Sequence, residues 1–386
     1  MSTAHANKQS PLSTTDGLIA AEDIPVNDQD EIDSIFSEES VQSATTSIAS
    51  SILEYRKIHG RTYHSDKFTT NYFIPNDDQQ LESEQLWSHH FLTILLDDQL
   101  FLAPLEKDKT HRVLDVGTGS GIWAVEFADQ FPNASVIGTD LSPCQPQWVP
   151  PNVCFEIDDA MLEWTYDDNH FDFIHMRYIV GGIQDWTAFF KEAYRCCAPG
   201  GWVESLEYEA EICSDDGSTN LEPVLASYGE LFRQAGEVMK RPLFVHEILP
   251  QALEEAGFID KRVVRYKIPI GPWAKDPKSA EVGRFTREAL ENDLQGYTQM
   301  LWQSVQKPED EYHVWLASMR KAIRNPKVHS YGMIQVVYGR KPFAAESAIT
   351  ELTLINCDQD LMPLQAQKTT MNGTAIGIDS RAIGGS

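Results

Sequence analysis

Short runs rich in valine, isoleucine and leucine alternate with helical patterns through the middle of the chain, and this alternation constrains the fold most strongly. The spacing predicts strands over 112–116, 134–139, 153–157, 171–175 and 202–207, and helices over 121–131 and 185–196. Apolar runs of this length separated by helices are typical of βαβ units and a buried parallel sheet. We therefore expect an α/β fold with helices on both faces of the sheet.

Further segments flank this alternation. Helical patterns over 220–239, 246–256 and 279–324, with strands over 261–268 and 331–338, complete a domain at 101–342 that contains a helical insertion at about 215–325. Before it, helical patterns over 43–57 and after Asn76 or Asp77, either of which would cap the second helix, predict an N-terminal helical arm at 41–100. The prediction is an arm followed by one three-layer domain.

Both ends of the chain differ from the middle. Residues 1–40 hold nine acids against one base and few apolar side chains. Such a segment buries too little apolar surface to offset its ordering entropy, so we expect a disordered acidic arm. Residues 343–386 drift into Gln, Thr, Gly and Ser, and we expect a mostly flexible tail there.

The formal net charge is −27, and residues 41–342 carry −16 of it. An acidic body repels nucleic acid and anionic membrane, so we expect no direct nucleic-acid partner and no membrane attachment. The six cysteines show no C-x-x-C spacing, and we predict no metal site. We see no secretory signal pattern and no apolar run that would cross a bilayer, which predicts a cytoplasmic protein.

The turn between the first predicted strand and its helix reads Asp115-Val116-Gly117-Thr118-Gly119-Ser120-Gly121. Glycine lets the backbone turn tightly and lets a ligand approach without a Cβ clash, and the following helix offers free N–H groups to an anion. In a doubly wound sheet this turn lies at the carboxyl ends of the strands, where ligands bind. A tight turn alone needs one glycine, so three alternate glycines favour a ligand site.

Acidic side chains accompany three successive predicted strands. Asp140 ends the second strand, where a carboxylate suits two ribose hydroxyls, and Asp158 and Asp159 follow the third, where an acceptor suits an adenine amine. Asp115 suits an ammonium group and disfavours a pyrophosphate. The loose G-x-G-x-x-A fingerprint at 119–124 keeps a nicotinamide-dependent dehydrogenase as the alternative, against which the charge of Asp115 argues.

With these motifs the chain resembles the class I S-adenosylmethionine-dependent methyltransferases, and more narrowly the LaeA-like fungal methyltransferases of secondary metabolism. The resemblance covers roughly residues 60–342. It rests on Gly60-Arg61-Thr62-Tyr63-His64, the loop at 115–124, Gly138-Thr139-Asp140-Leu141-Ser142-Pro143, Asp158-Asp159-Ala160, Phe171-Asp172-Phe173-Ile174-His175 and Pro199-Gly200-Gly201-Trp202. It implies a Rossmann-like, seven-stranded, mostly parallel sheet with the last strand antiparallel, and S-adenosyl-L-methionine as the cofactor.

The predicted cofactor site gathers residues of these motifs. The resemblance implies contacts from Gly117, Gly119, Asp140 and Asp159. The full prediction adds neighbours on the same turns and one residue of the arm: Asp115, Thr118, Gly121, Leu141, Asp158, Ala160 and Tyr63. Tyr63 and His64 belong to an arm that would fold over the cofactor as a lid and exclude water. The alternative interpretation is a packed tyrosine.

Methyl transfer needs a general base only if the acceptor arrives protonated. His175, after the fourth predicted strand, is the candidate because imidazole can be neutral near pH 7, and a structural histidine is the alternative. Arg177 either clamps an acidic substrate or pairs with a loop carboxylate. Glu207 either lines the acceptor pocket or faces water at the edge of the sheet.

Two functions of different classes stay open. The first is an enzyme that methylates a small-molecule acceptor, in an apolar pocket lined by some of the aromatic residues of the helical region, most of which we expect in the core. These are Trp273, Trp302, Trp315, Phe285, Tyr297 and Tyr312. The second is a methyltransferase-fold regulator of metabolite gene expression that acts through protein partners, which would place the protein in the nucleus. We favour the enzyme.

Overall fold

The computed structural model describes residues 54–346 of the 386-residue chain. The predicted acidic arm at 1–40, most of the tail at 343–386 and most of the helix predicted over 43–57 lie outside the described residues. Between residues 54 and 346, none of the helices combines the length and the apolar character needed to cross a bilayer.

Nine strands and eight α-helices span residues 55–340 of the described range. The strands are β1 Tyr55–Ile58, β2 Arg61–Ser65, β3 Arg112–Val116, β4 Ser135–Asp140, β5 Val153–Ile157, β6 Phe171–Arg177, β7 Cys197–Cys213, β8 Ile259–Pro269 and β9 Tyr331–Arg340. The helices are α1 Asp78–Glu82, α2 His89–Leu95, α3 Ile122–Gln130, α4 Trp186–Cys196, α5 Ala226–Met239, α6 Ile248–Glu255, α7 Pro277–Ser304 and α8 Glu309–Ile323. A π-helical turn at Ser83–Ser88 joins α1 to α2.

Seven strands form one sheet in the order β5-β4-β3-β6-β7-β9-β8. The first five are parallel, whereas β9 is antiparallel to both of its neighbours, β7 and β8. The predicted Rossmann-like, seven-stranded sheet with an antiparallel last strand is therefore confirmed. Because the parallel strands all end at one edge, the loops that follow β3, β4, β5 and β6 meet there.

Side chains of the central strands pack into two hydrophobic cores, one on each face of the sheet, because successive residues of a strand point to opposite faces. On one face, Phe173 of β6 packs with Trp123 and Phe127 of α3. On the other, Ile174 packs with a cluster that includes Phe190 of α4 and others from α6. Helices therefore cover both faces of the sheet, as the sequence predicts.

The N-terminal arm differs from its prediction at the first described residues. Residues 55–57 belong to a β-hairpin of β1 and β2, so the helix predicted over 43–57 is wrong there. His59 and Gly60 both have positive φ, 48° and 80°, which is the backbone of a two-residue hairpin turn whose twist matches the strands. The remainder of the arm is helical from Asp78 onward, and the Asp77 side chain caps α1 by accepting from the Gln80 N–H. We call residues 54–95 the strap.

The helical insertion adds α5, α7 and α8 beside the end of the sheet. Their apolar side chains form a core of their own that includes Trp302, Tyr312 and Trp315. Helix α7 is bent at Asp293, whose φ of −133° and ψ of 37° are not helical. The bend places residues on both sides of Asp293 against the strap.

Candidate active site

A cavity of about 290 Å³ lies at the carboxyl ends of the parallel strands. Its walls come mainly from the loops after β3 to β6, the strap and the helical insertion, and β7 adds Tyr208. The loops supply most of the predicted cofactor residues: Gly117, Gly119, Asp140, Leu141, Asp158, Asp159 and Ala160. The fold thus brings seven of the eleven predicted cofactor residues together at one site.

The glycine loop approaches the cavity without side chains. Gly117 and Gly119 have φ of 69° and 56°, in the left-handed region that other residues avoid. A Cβ on Gly119 would lie 2.6 Å from a carboxylate oxygen of Glu84, and a Cβ on Gly117 would overlap the Ile179 side chain. Both positions therefore require glycine, for backbone conformation and for space.

Asp140 ends β4 with its carboxylate held toward the cavity. One oxygen accepts the Gly119 N–H at 2.9 Å and the other accepts the Ser142 N–H at 3.0 Å. Burial raises the pKa of Asp140 to about 7, although these hydrogen bonds oppose the rise. A carboxylate has about four lone-pair sites, so an oriented acceptor remains for two vicinal hydroxyls of a ligand.

Asp158 and Asp159 both line the cavity, but Asp159 is committed to the strap. Its carboxylate accepts from the Thr69 hydroxyl and from both the N–H and the hydroxyl of Thr70, at 2.5–3.0 Å. The Met161 N–H also donates to it at 3.1 Å. Burial raises the pKa of Asp159, but these hydrogen bonds together outweigh it and the net pKa is lowered. Asp158 accepts only the Asp159 N–H in the described hydrogen bonds, and burial raises its pKa. Asp158 is thus the acid better placed to accept from a ligand.

Asp115 and His175 are turned away from the cavity, which corrects two predictions. Both are buried, and their side chains pair at 2.7 Å from Asp115 Oδ1 to His175 Nδ1. The second Asp115 oxygen accepts the Thr118 hydroxyl at 2.6 Å, and the His175 ring stacks on Trp123 with centroids 3.7 Å apart. Burial lowers the pKa of His175 even though Asp115 opposes the shift. In this arrangement both Asp115 oxygens are engaged away from the cavity, and the His175 ring does not line it.

Three further predicted residues do not line the cavity but pack next to residues that do. Thr118 is buried against Asp115, and a Cβ on Gly121 would overlap the Phe155 ring, so neither lines the cavity. Tyr63 is fully buried, and Arg56 lies 6.0 Å from its ring centroid. The packed-tyrosine alternative describes Tyr63. Its neighbour His64 does line the cavity.

His64 has both ring nitrogens engaged. Nε2 accepts the Tyr72 N–H at 3.0 Å, and Nδ1 lies 2.8 Å from the Ser65 carbonyl, which makes Nδ1 the protonated nitrogen. Burial and the nearby Arg56 guanidinium lower the pKa of His64. The imidazole is thus neutral and holds the strap in place.

Glu207 is fully buried and does not line the cavity, so neither of its two interpretations, a residue of the acceptor pocket or a carboxylate facing water, describes it. Its two oxygens accept the N–H groups of Ile179 and Val180 at 3.0 and 3.1 Å. Tyr178, just before them, has a φ of 56°, and its carbonyl accepts the Tyr72 hydroxyl at 2.6 Å. Glu207 therefore shapes the loop after β6, which forms one wall of the cavity.

Glu207 gives a testable pH dependence. Burial raises its pKa from 4.5 to about 8, so the unfolded chain releases this proton at lower pH than the folded protein. The folded state loses stability as pH rises through that window, by at most about 1.4 kcal/mol per pH unit. Glu207→Gln mimics the protonated side chain, so we expect its free energy of unfolding relative to wild type to rise between about pH 5 and pH 8. Chemical denaturation at several pH values measures this, with exposed Glu237→Gln as the control; parallel pH profiles for wild type and Glu207→Gln would contradict it.

Two further charged residues belong to the cavity wall, and sequence reasoning singled out Arg177 but missed Glu84. Glu84 lies on the π-helical turn of the strap, and Arg177 is the last residue of β6. The sequence leaves two roles open for Arg177, a clamp for an acidic substrate or a partner for a loop carboxylate. In the structure its Nη1 lies 3.0 Å from His89 Nδ1, so its guanidinium contacts the strap. No motif singles out Glu84, because only the folded strap brings it to the glycine loop.

The acceptor side of the cavity is mostly aromatic and aliphatic. Of the six aromatic residues singled out in the helical region, Tyr297 lines the cavity, whereas Trp302, Trp315 and Tyr312 belong to the core of the insertion. Other walls come from the strap, β7, α5, β8 and α7: Tyr72, Phe73, Tyr208, Tyr228, Phe232, Ile268 and Leu290. Burial raises the pKa of Tyr297 to about 12, so its hydroxyl stays protonated.

Comparison with known proteins identifies similar chains. A family model described as a methyltransferase domain matches residues 87–260. The chain is 35% identical to methyltransferase pytC of Aspergillus terreus over 304 residues, which cover 78% of this chain and 92% of that one. It is 30% identical to the secondary metabolism regulator LAE1 of Cochliobolus heterostrophus, with 74% and 94% covered, and 30% identical to the probable methyltransferase tdiE of Emericella nidulans, with 78% and 94% covered.

Proposed function

This chain belongs to the LaeA-like family of fungal S-adenosylmethionine-dependent methyltransferases, and on that premise we propose that it methylates a small, largely apolar aromatic acceptor of secondary metabolism. One observation carries the proposal: a single cavity runs from the glycine loop and Asp140 to a chamber walled by aromatic side chains. Apolar pockets with a few placed polar groups are typical of small-molecule sites.

The residues at the loop end of the cavity fit the cofactor. Gly117 and Gly119 keep the loop backbone free of side chains where it lines the cavity, Asp140 would offer its oriented carboxylate to the ribose hydroxyls, and Asp158 would accept from the adenine amine. When bound, the cofactor supplies a methyl group already activated by its sulfonium. The chain itself supplies position and a wall that excludes water.

The side chains of the chamber favour an acceptor that needs no base from the protein. His175 is buried away from the cavity, and both nitrogens of His64 are engaged. Tyr297 and Tyr208 stay protonated, because burial raises the pKa of each. We therefore expect the acceptor atom to be nucleophilic at working pH, as in an amine, an ionised phenol or an acidic carbon. The phenol hydroxyls would orient it by hydrogen bonds.

Incubation with methyl-labelled S-adenosylmethionine and extracts of producing fungal cells, followed by mass spectrometry, tests the proposal. We expect label in a small aromatic metabolite with the wild-type protein. Leu290→Trp, which fills the chamber, should abolish that labelling and leave cofactor affinity within about twofold. The matched control is Val238→Trp on exposed surface of α5, which should transfer label normally.

The regulator remains the second candidate, supported by the resemblance to LAE1. It predicts a different product in the same incubation: label on a protein of the extract, with none on small molecules. That outcome would overturn the small-molecule acceptor and leave the methyltransferase assignment intact.

A further inference from the structure

Glu84 places a carboxylate directly over the glycine loop. Its Oε1 accepts the Ser120 hydroxyl at 2.9 Å and the Ser120 N–H at 3.3 Å. Its oxygens also fill the space in which a Cβ of Gly119 would lie, at 2.6 Å. Glu84 lines the cavity, so this carboxylate faces whatever molecule passes along the loop.

Asp115, the acidic residue at the start of the glycine loop, does not present its carboxylate to the cavity. Both of its oxygens are used inside the core, by His175 and Thr118, and its side chain does not line the cavity. Asp140, the other acid against Gly119, accepts two backbone N–H groups and lies at the end of β4. Glu84 is therefore the acid of the cavity wall that is both beside the loop and supplied by the strap.

Arg177 brings the opposite charge to the same region. Among the described residues that line the cavity, it is the one arginine or lysine. Burial raises the pKa of Glu84, and the charge of Arg177 is the main influence that lowers it. Both side chains line the same cavity, the carboxylate beside the glycine loop and the guanidinium at the end of β6.

We propose that Glu84 and Arg177 together receive the amino-acid end of S-adenosylmethionine, Glu84 accepting from its ammonium group and Arg177 donating to its carboxylate. The inference rests on the cofactor assignment above and deepens it. A zwitterion needs both signs of charge close together, and hydrogen bonds between ionised groups are the stronger ones. The strap supplies Glu84, so cofactor binding and strap position are coupled.

Calorimetric binding of three ligands separates the two contacts. The ligands are S-adenosylmethionine, its decarboxylated form, which keeps the ammonium, and methylthioadenosine, which lacks the whole amino-acid end. Glu84→Gln should weaken the first two by about 10- to 100-fold and leave methylthioadenosine within twofold. Arg177→Gln should weaken only S-adenosylmethionine by a similar factor, and Arg177→Lys should restore part of it.

The controls keep the outcomes distinct. Glu82→Gln, on exposed surface of the strap, should leave all three affinities unchanged. If Glu84→Gln does not fold, Glu84→Asp shortens the side chain by one methylene and should give the same ligand pattern at smaller size. Equal weakening of all three ligands, or unchanged binding of S-adenosylmethionine, would overturn the proposal. Wild-type protein that binds none of the three would overturn the cofactor assignment instead.

Discussion

Replacing Gly119 with valine is expected to lower the affinity for S-adenosylmethionine by at least about 100-fold, which is about 2.7 kcal/mol. Gly119 has a φ of 56°, which a β-branched residue adopts only under strain. Its new Cβ would lie 2.6 Å from a Glu84 carboxylate oxygen, so the loop or Glu84 would have to shift at the wall of the cavity. Isothermal calorimetry measures the loss directly.

A matched glycine separates strain from site disruption. Gly217 has a comparable φ of 72°, but a Cβ there meets only the Asn220 amide nitrogen, at 3.4 Å. Gly217→Val should therefore carry similar backbone strain and bind cofactor normally. Asp140→Ala should match Gly119→Val, because it removes the acceptor held by the Gly119 and Ser142 N–H groups. Unchanged cofactor affinity in both site variants would contradict the assignment of this cavity.

Replacing Arg61 with methionine is expected to lower the free energy of unfolding by about 3–5 kcal/mol. The Arg61 guanidinium bridges two carboxylates, with Nε 2.5 Å from Asp77 and Nη1 2.5 Å from Asp293. Asp293 is fully buried at the bend of α7, and burial already raises its pKa against the effect of Arg61. Without Arg61, an uncompensated carboxylate would remain in the interior.

The loss of unfolding free energy in Arg61→Met should depend on pH. Loss of Arg61 raises the folded-state pKa of Asp293 further, so the variant loses stability relative to wild type as pH rises above the ordinary value of 3.8. The difference in unfolding free energy should therefore be larger at about pH 8 than at about pH 5, as urea denaturation would show. Arg284→Met removes an exposed pair with Glu281 and should cost less than about 1 kcal/mol. A cost that small for Arg61→Met would mean that the bridge does not fasten the strap.

The Arg61 bridge also bears on the acceptor chamber. It joins β2, the cap of α1 and the bend of α7. Ser83 reinforces the same contact, since its hydroxyl donates to the Ala289 carbonyl and lies 3.0 Å from the Tyr297 hydroxyl. The strap and α7 thus hold each other, and both contribute walls of the cavity.

Local pattern was sufficient for the sheet and for the part of the site that lies on it. Apolar runs bounded by turn residues predict the ends of β3, β4 and β5 to within one residue. They do so because a parallel strand buried on both faces is a near-continuous apolar run. The glycine loop and Asp140 follow from the same pattern, since residues that directly follow parallel strands must meet at one edge. A residue at the end of a strand can therefore be placed at this edge of the sheet from the sequence alone.

Side-chain direction at those strand ends was not available from the sequence. Asp115 and His175 occupy the expected backbone positions, yet they pair with each other beside Trp123 because their faces of the strands turn toward α3. The hairpin at residues 55–65 also depends on positive φ values at His59 and Gly60. The helix prediction used only the spacing of the apolar residues before this turn, so it did not include the turn.

The sequence by itself determined the fold, the glycine loop and the place of Asp140, because these depend on periodicity and on turn chemistry over a few residues. Only the tertiary structure decided which charges face the ligand. Glu84 lies 36 residues from Ser120, and Arg61 lies 232 residues from Asp293, so the energies that join them arise from burial and from the close approach of charges in the folded chain. Such pairings leave no local trace, because a lone Glu or Arg on a helix or strand is ordinarily a solvated side chain.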